Sequence, residues 1–308
     1  MTALLLLPLL LPCALPPLAR RALALLAPAA ALWAVTGCAV VLAGCSLAAL
    51  GAFVLIGLLR LPLFAAFGEF IHPLHTAPAL IVVPAAAISV GVLAVCCWTL
   101  VRSVLRQGRA FRLARTEAGR RPAAGDLCVV DSPRPDAYAL PGRPHRIVVT
   151  TAMLRSLDGP EREALFAHER AHNEGGHHYF LAAAELAAHC HPALRPVRTT
   201  VRLAAERAAD EAAAVRVGDR RLTARAIARA ALAGHATATA RPDFVAGAAT
   251  GPVPQRVQAL LDTPARARAG RAVAALLIAC TALSGAAAAA GLADFHHRVE
   301  VAQGEEAP

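Results

Sequence analysis

The residues with the clearest chemistry are His168, Glu169 and His172, in the string His168-Glu169-Arg170-Ala171-His172. On a helix, residues four apart stack one turn above each other, so both imidazoles can reach one metal ion. Glu169 faces the same ion, where a carboxylate takes a proton from metal-activated water. The chemistry would be that of a hydrolytic zinc site, which requires a third protein ligand and an open position for water. The competing reading is two solvated histidines on an ordinary helix, and the rest of the chain has to decide between them.

Two residues compete to be the third ligand. Glu206 stands in Ala205-Glu206-Arg207-Ala208-Ala209-Asp210. Glu206 and Asp210 share one helix face, so one can bind the metal while the other hydrogen-bonds a ligand imidazole and fixes its tautomer. His178 is the alternative, because His168-Glu169-x-x-His172-x-x-Gly175-x-x-His178 fits the metzincin string HExxHxxGxxH. A metzincin also needs a methionine turn after that string. The chain's methionines, Met1 and Met153, both precede it. This favours Glu206, with His178 kept as the second candidate.

These residues need a scaffold, and the composition says what kind. Of 308 residues, 57% are hydrophobic and only 17% charged, which points to several membrane spans joined to a polar portion. The net charge of +10 is carried by arginine alone, since the chain contains no lysine. Eight cysteines are scattered, with Cys13, Cys38, Cys45, Cys96, Cys97 and Cys280 in apolar stretches and no CxxC pair among them. They read as small apolar residues and neither a disulfide framework nor a metal cluster.

The expected architecture is an α-helical membrane protein with about four transmembrane helices and a mainly helical α+β zincin domain carrying a small β-sheet. Residues 1–101 form an N-terminal region of about three spans: the proline-broken leucine run Leu4–Leu18, one span near Ala31–Leu59 entered at Pro28, and Pro78–Val101. The loop Arg60–Ala77, with Glu69, His72 and His75, separates the last two. Residues 102–270 form the catalytic domain, 271–293 the last span and 294–308 a short extracytoplasmic tail. Arg102, Arg106, Arg109, Arg112, Arg115, Arg120 and Arg121 follow the third span, and such a basic flank marks the cytoplasmic side. Only Phe111 interleaves with these arginines, so stacking of nucleic acid is not expected.

Within the domain, Leu127–Val130, Ala137–Leu140 and Arg146–Val149 read as strands. Thr150 or Thr151 caps a short helix to Leu157, and Asp158-Gly159-Pro160-Glu161 opens the helix of the histidine pair. That helix is too polar for the bilayer core. Tyr179–Ala188 is apolar but half a span long, and packs on the domain or lies at the membrane surface. Val197–Val217, ended by Gly218, carries Glu206; Leu222–Leu232 and Pro252–Leu261 are further helices, with Gly234–Gly251 a loop.

Taken in order, these motifs resemble the BlaR/MecR-type membrane metallopeptidases and their gluzincin relatives, the CAAX prenyl proteases and HtpX-like proteases. The matching residues are Asp136–Gly142, Ile147–Thr151, the HExxH string, Glu206-x-x-x-Asp210 and Arg256-Val257-x-x-Leu260. The resemblance implies Zn²⁺ held by His168, His172 and Glu206, Glu169 as general base and Asp210 hydrogen-bonded behind a ligand. It also implies Arg256 as the group that binds the substrate carbonyl or stabilises the oxyanion, and Tyr138 as a substrate contact. Where CAAX-type relatives place a histidine before that arginine, this chain has Thr250-Gly251-Pro252-Val253-Pro254. The chain ends in the short tail after the last span, so β-lactam sensing is not carried over.

The expected function is therefore a zinc metalloendopeptidase of a bacterial plasma membrane, multi-pass, with its catalytic domain cytoplasmic. Its partners are the lipid bilayer and a protein or peptide substrate, such as a repressor or a misfolded membrane protein, lying along an edge of the sheet at Ala137–Leu140 or Arg146–Val149. The alternatives are a signalling transducer that cleaves a cytoplasmic repressor, and an inactive membrane scaffold. The scaffold is disfavoured because His168, Glu169, His172, Glu206 and Asp210 are all intact.

Overall fold

The structure is a computed structural model that describes residues 2–58, 79–120, 123–234, 252–262 and 267–304. The Arg60–Ala77 loop and nearly all of the Gly234–Gly251 loop lie outside the described residues. Four of the described helical segments are long and apolar enough to cross a membrane: Leu4–Leu25, Pro28–Leu58, Val82–Gly119 and Gly270–His297.

The first of these is built from α1 (Thr2–Leu10), a 3-10 turn at Leu11–Ala14 and α2 (Leu15–Leu25). Its prolines interrupt the α-helical hydrogen bonding without ending the rod. The helix α3 (Pro28–Leu58) begins at the expected proline and runs as one continuous helix, long enough for the single span expected there. It packs closely on α4 (Ala79–Gly119), where a Cβ on Gly57 would collide with that of Ala86. The outer faces of these helices expose Trp33, Ile88, Val95 and Trp98, an apolar surface suited to lipid. The helix α4 runs without a break past residue 102, so the third span and the arginine-rich segment form one rod.

A four-stranded sheet follows, from β1 (Ala123–Ala124), β2 (Leu127–Val130), β3 (Ala137–Leu140) and β4 (Arg146–Thr150). Its order is β1-β2-β4-β3, with β2 parallel to β4 and β3 antiparallel to it. Strand β4 is therefore interior, which removes Arg146–Val149 as an edge for substrate and leaves β3. The two-residue β1 carries no hydrophobic alternation and was not expected. In register, Cys128, Val148 and Tyr138 share one face, covered by Phe111, Ala114 and Ala118 of α4. On the other face, Val149 and Ala137 pack with Met153, Leu157 and Leu165.

Short helix α5 (Thr151–Ser156) is capped by Thr150, whose hydroxyl accepts from the Met153 amide. The helix α6 (Gly159–Glu174) carries the histidine pair and opens on a capping box between Asp158 and Glu161. Next come α7 (His177–Cys190), α8 (Val197–Val217), α9 (Arg220–Gly234) and α10 (Val253–Leu261). The last helix, α11 (Ala267–Gly304), continues through much of the stretch expected to be a tail.

The spans share one core with α7 and α8. Leu15, Ala19 and Leu23 of α2, Leu32, Val35 and Leu42 of α3, and Leu277 of α11 pack with Phe180, Leu181 and Ala184 of α7 and Val197, Val201, Ala204 and Ala205 of α8. Apolar α7 is thus neither a surface helix nor a span: it packs beside α8 against the bundle.

Candidate metal centre

The capping box and the Leu165 core contact fix α6, and its last two turns aim His168 and His172 inward. Helix α8 is alanine-rich where it crosses α6, which lets the two backbones approach. Glu206 and Asp210 project from α8 at that crossing, both buried. The Nε2 atoms of His168 and His172 lie 3.1 Å apart. Glu206 Oε2 is 3.5 Å from His168 Nε2, and Glu206 Oε1 is 3.8 Å from His172 Nε2.

These distances test whether the residues fit a zinc ion. Ligand atoms about 2.0–2.1 Å from a tetrahedral zinc stand roughly 3.3 Å from one another. The three observed separations bracket that value, and the three side chains are almost completely removed from solvent. The donor set of two imidazoles and one carboxylate is also the chemistry zinc takes in hydrolytic sites. The residues fit. Among the described residues, His168, His172 and Glu206 are the one group placed to hold a metal, and His178 is not part of it.

Each ligand imidazole is oriented from behind. His168 Nδ1 lies 2.9 Å from Asp210 Oδ1, so its proton goes to the carboxylate and Nε2 is left for a metal. His172 Nδ1 lies 2.8 Å from Nδ1 of His177, the first residue of α7. Burial, then the neighbouring His172 and His168, pulls the pKa of His177 down to about 3. It is therefore neutral near pH 7 and able to accept the Nδ1 proton of His172.

The sequence reading missed His177. The signal was Gly175-Gly176: Gly176 takes a left-handed conformation (φ 59°) that turns the chain, and a Cβ on Gly175 would stand 2.6 Å from the His177 ring. The pair thus lets α7 start with its first side chain folded back on α6.

Arg256 sits at the centre of the charge network, fully buried on α10. Its Nε and Nη2 donate to the two Asp210 oxygens at 2.8 and 2.7 Å, and its Nη1 is 3.0 Å from Glu206 Oε2. Burial alone would raise the Glu206 pKa, but Arg256 and the imidazoles outweigh it and hold the carboxyl well below its usual range. Asp210 is lowered against the same penalty, chiefly by Arg256. For His168, burial opposes the charged form, yet Asp210 and Glu206 raise its pKa to about 9, so a metal bound at Nε2 would displace a proton.

Glu169, between the ligand histidines, is fully buried. Tyr138 packs on the α4 side of the sheet, opposite the face that meets α6. His178 is half-buried on α7, its ring 4.0 Å from that of Tyr179.

The family model described as peptidase family M48 matches residues 107–193. The match spans the sheet, α6 and α7, and supports the M48 metallopeptidase family; it ends before Glu206, Asp210 and Arg256. No curated protein and no solved structure matches the chain.

Proposed function

We propose that the chain is a membrane-embedded zinc endopeptidase of the gluzincin type, akin to BlaR/MecR-type and HtpX-like enzymes, working at the cytoplasmic face of the membrane. The observation that carries this reading is the convergence of His168, His172 and Glu206 from two helices onto one buried point. The family match over α6 and the four apolar helices support it. The seven arginines between residues 102 and 121, on and just beyond α4, support the cytoplasmic side.

His168, His172 and Glu206 would hold Zn²⁺, which supplies Lewis-acid polarisation of a carbonyl and lowers the pKa of water. Glu169 takes the proton of the attacking water and delivers it to the leaving amine. Asp210 and His177 keep the two imidazoles in the tautomer that presents Nε2. Arg256 acts behind the ligands: its guanidinium neutralises Asp210 and Glu206, a positioning role in place of the substrate contact that the resemblance implies for it. The substrate lies along the outer edge of β3, so Tyr138 serves it through the main chain.

Metal analysis and proteolysis by the purified full-length protein test this reading. Glu169→Gln is expected to retain zinc and to lose roughly 10²–10⁴-fold in kcat on casein or a quenched peptide. A variant that keeps its turnover overturns the mechanism.

A further inference from the structure

A cavity of about 460 Å³ lies where the extension of the third span meets the catalytic fold. Val104, Gly108 and Phe111 of α4 form one wall, Ala182 and Leu186 of α7 the other, and Pro141–Gly142 one end. Pro141 and Gly142 follow directly on β3, which is the last strand of the sheet among the described residues. The α7 wall begins next to the metal centre: His177 contacts His172, and His178, one residue on, lines the cavity. A strand added to β3 and continued past Leu140 would therefore pass over this opening.

The lining also states what it would accept. The wall is mainly apolar, and its acidic residue, Glu185, is satisfied by Arg198 at 2.9 Å and His189 at 3.4 Å. His178, half-buried, has its pKa lowered by burial and then by His145. The polar groups of the lining, Ser103, Gln107, His178 and Tyr179, sit among apolar surface on which a large aliphatic or aromatic side chain would exchange water for apolar contact. The end of the cavity is held in place by Arg115 of α4, which donates to the carbonyls of Pro141 at 3.0 Å and Arg143 at 2.7 Å.

We propose that this cavity is a specificity subsite that takes one bulky apolar side chain of the substrate, beyond the C-terminal end of β3. The proposal rests on the metallopeptidase reading and adds what the substrate must carry: one large apolar side chain just beyond the segment paired to β3. Phe111 and Ala182 become specificity residues, distinct from the ligands and the general base.

The test uses the full-length zinc-loaded protein in nanodiscs and quenched peptides that differ at one position, carrying Phe, Leu, Ala or Asp. Wild type is expected to prefer Phe or Leu over Ala by ~10–100-fold in kcat/KM at one position, with Asp poorest. Ala182→Trp fills the cavity from a half-buried position and should collapse that preference, bringing the Phe and Leu peptides down toward the rate of the Ala peptide. Gly108→Leu fills it from the opposite wall, where an added Cβ meets nothing within 4 Å, and should act alike.

Binding of the same peptides to a Glu169→Gln background, by fluorescence anisotropy, should show the same loss. If both fillings keep the preference, or slow every peptide equally, the subsite is wrong though the peptidase stands. Release of a co-purified lipid by Ala182→Trp with the preference intact overturns it too. A wild type that binds no zinc and cleaves nothing defeats the underlying reading instead.

Discussion

Helices α6 and α8 both bring ligands to the candidate metal centre, yet opposite forces hold them. Around α6, beyond its Leu165 core contact, the ties are polar. Arg170 makes a two-pronged ion pair with Asp126 at 2.6 and 2.9 Å, Asn173 reaches the Arg146 carbonyl, and buried Glu161 gathers Arg225 and Arg229. Around α8 the ties are apolar and come from the spans, with Ala204 and Ala205 embedded among Leu23, Leu32 and Val35. Glu206 follows Ala205 directly, so its place is set by packing against α2 and α3. The two histidines answer to the sheet and the polar surface. The comparison teaches that the centre is a seam: it exists only while the bundle and the polar half stay in register.

The largest effect should come from the residue that closes the seam electrostatically. Arg256→Met leaves two buried carboxylates facing each other and should cost ~3–5 kcal/mol of stability, with zinc lost in parallel. Thermal unfolding in detergent with and without added zinc measures it, and a variant of wild-type stability would mean that the seam does not depend on charge neutralisation.

Next, Ala205→Leu overpacks the joint core and should cost ~1–3 kcal/mol while displacing Glu206. Zinc affinity ought to fall more than proteolysis of the polar half by trypsin would rise. If instead zinc binding is untouched, the apolar half does not position its ligand.

The smallest effect belongs to the polar half. Arg170 holds the Asp126 pKa below its usual value, chiefly through the hydrogen bonds of the pair. A lowered acid adds stability that is present above its unfolded pKa of about 4 and lost as the pH falls through the folded value. Both side chains are 36% exposed, so solvent screening limits the gain to roughly 0.5–1 kcal/mol, and Asp126→Asn should remove it at pH 7 but not at pH 3.

The same contrast explains what could be read from the sequence. Strands Leu127–Val130 and Ala137–Leu140 and helix Val197–Val217 stand where local patterning put them, because capping, turn residues and alternation are local signals. His168, His172 and Glu206 were legible because helical spacing alone puts the relevant side chains on one face. What stayed hidden was three-dimensional. Sheet order, which makes Arg146–Thr150 interior, comes from a parallel pairing of β2 with β4 across a connection that no local pattern encodes. His177 became visible only when the Gly175-Gly176 turn folded it onto His172, and Arg256 only when α10 carried it between two carboxylates. The continuity of α7 and α8 with the spans was hidden because half-length apolar helices look alike whether they meet lipid or protein.

The central claim is that Glu206, held by the membrane-packed half, completes a site whose histidines come from the polar half. Zinc stoichiometry of purified wild type, Glu206→Gln and His178→Ala, measured beside casein cleavage, tests it directly. One zinc per chain in wild type and His178→Ala, with both metal and activity lost in Glu206→Gln, is the predicted result. Full zinc and activity in Glu206→Gln, with both lost in His178→Ala, would contradict it.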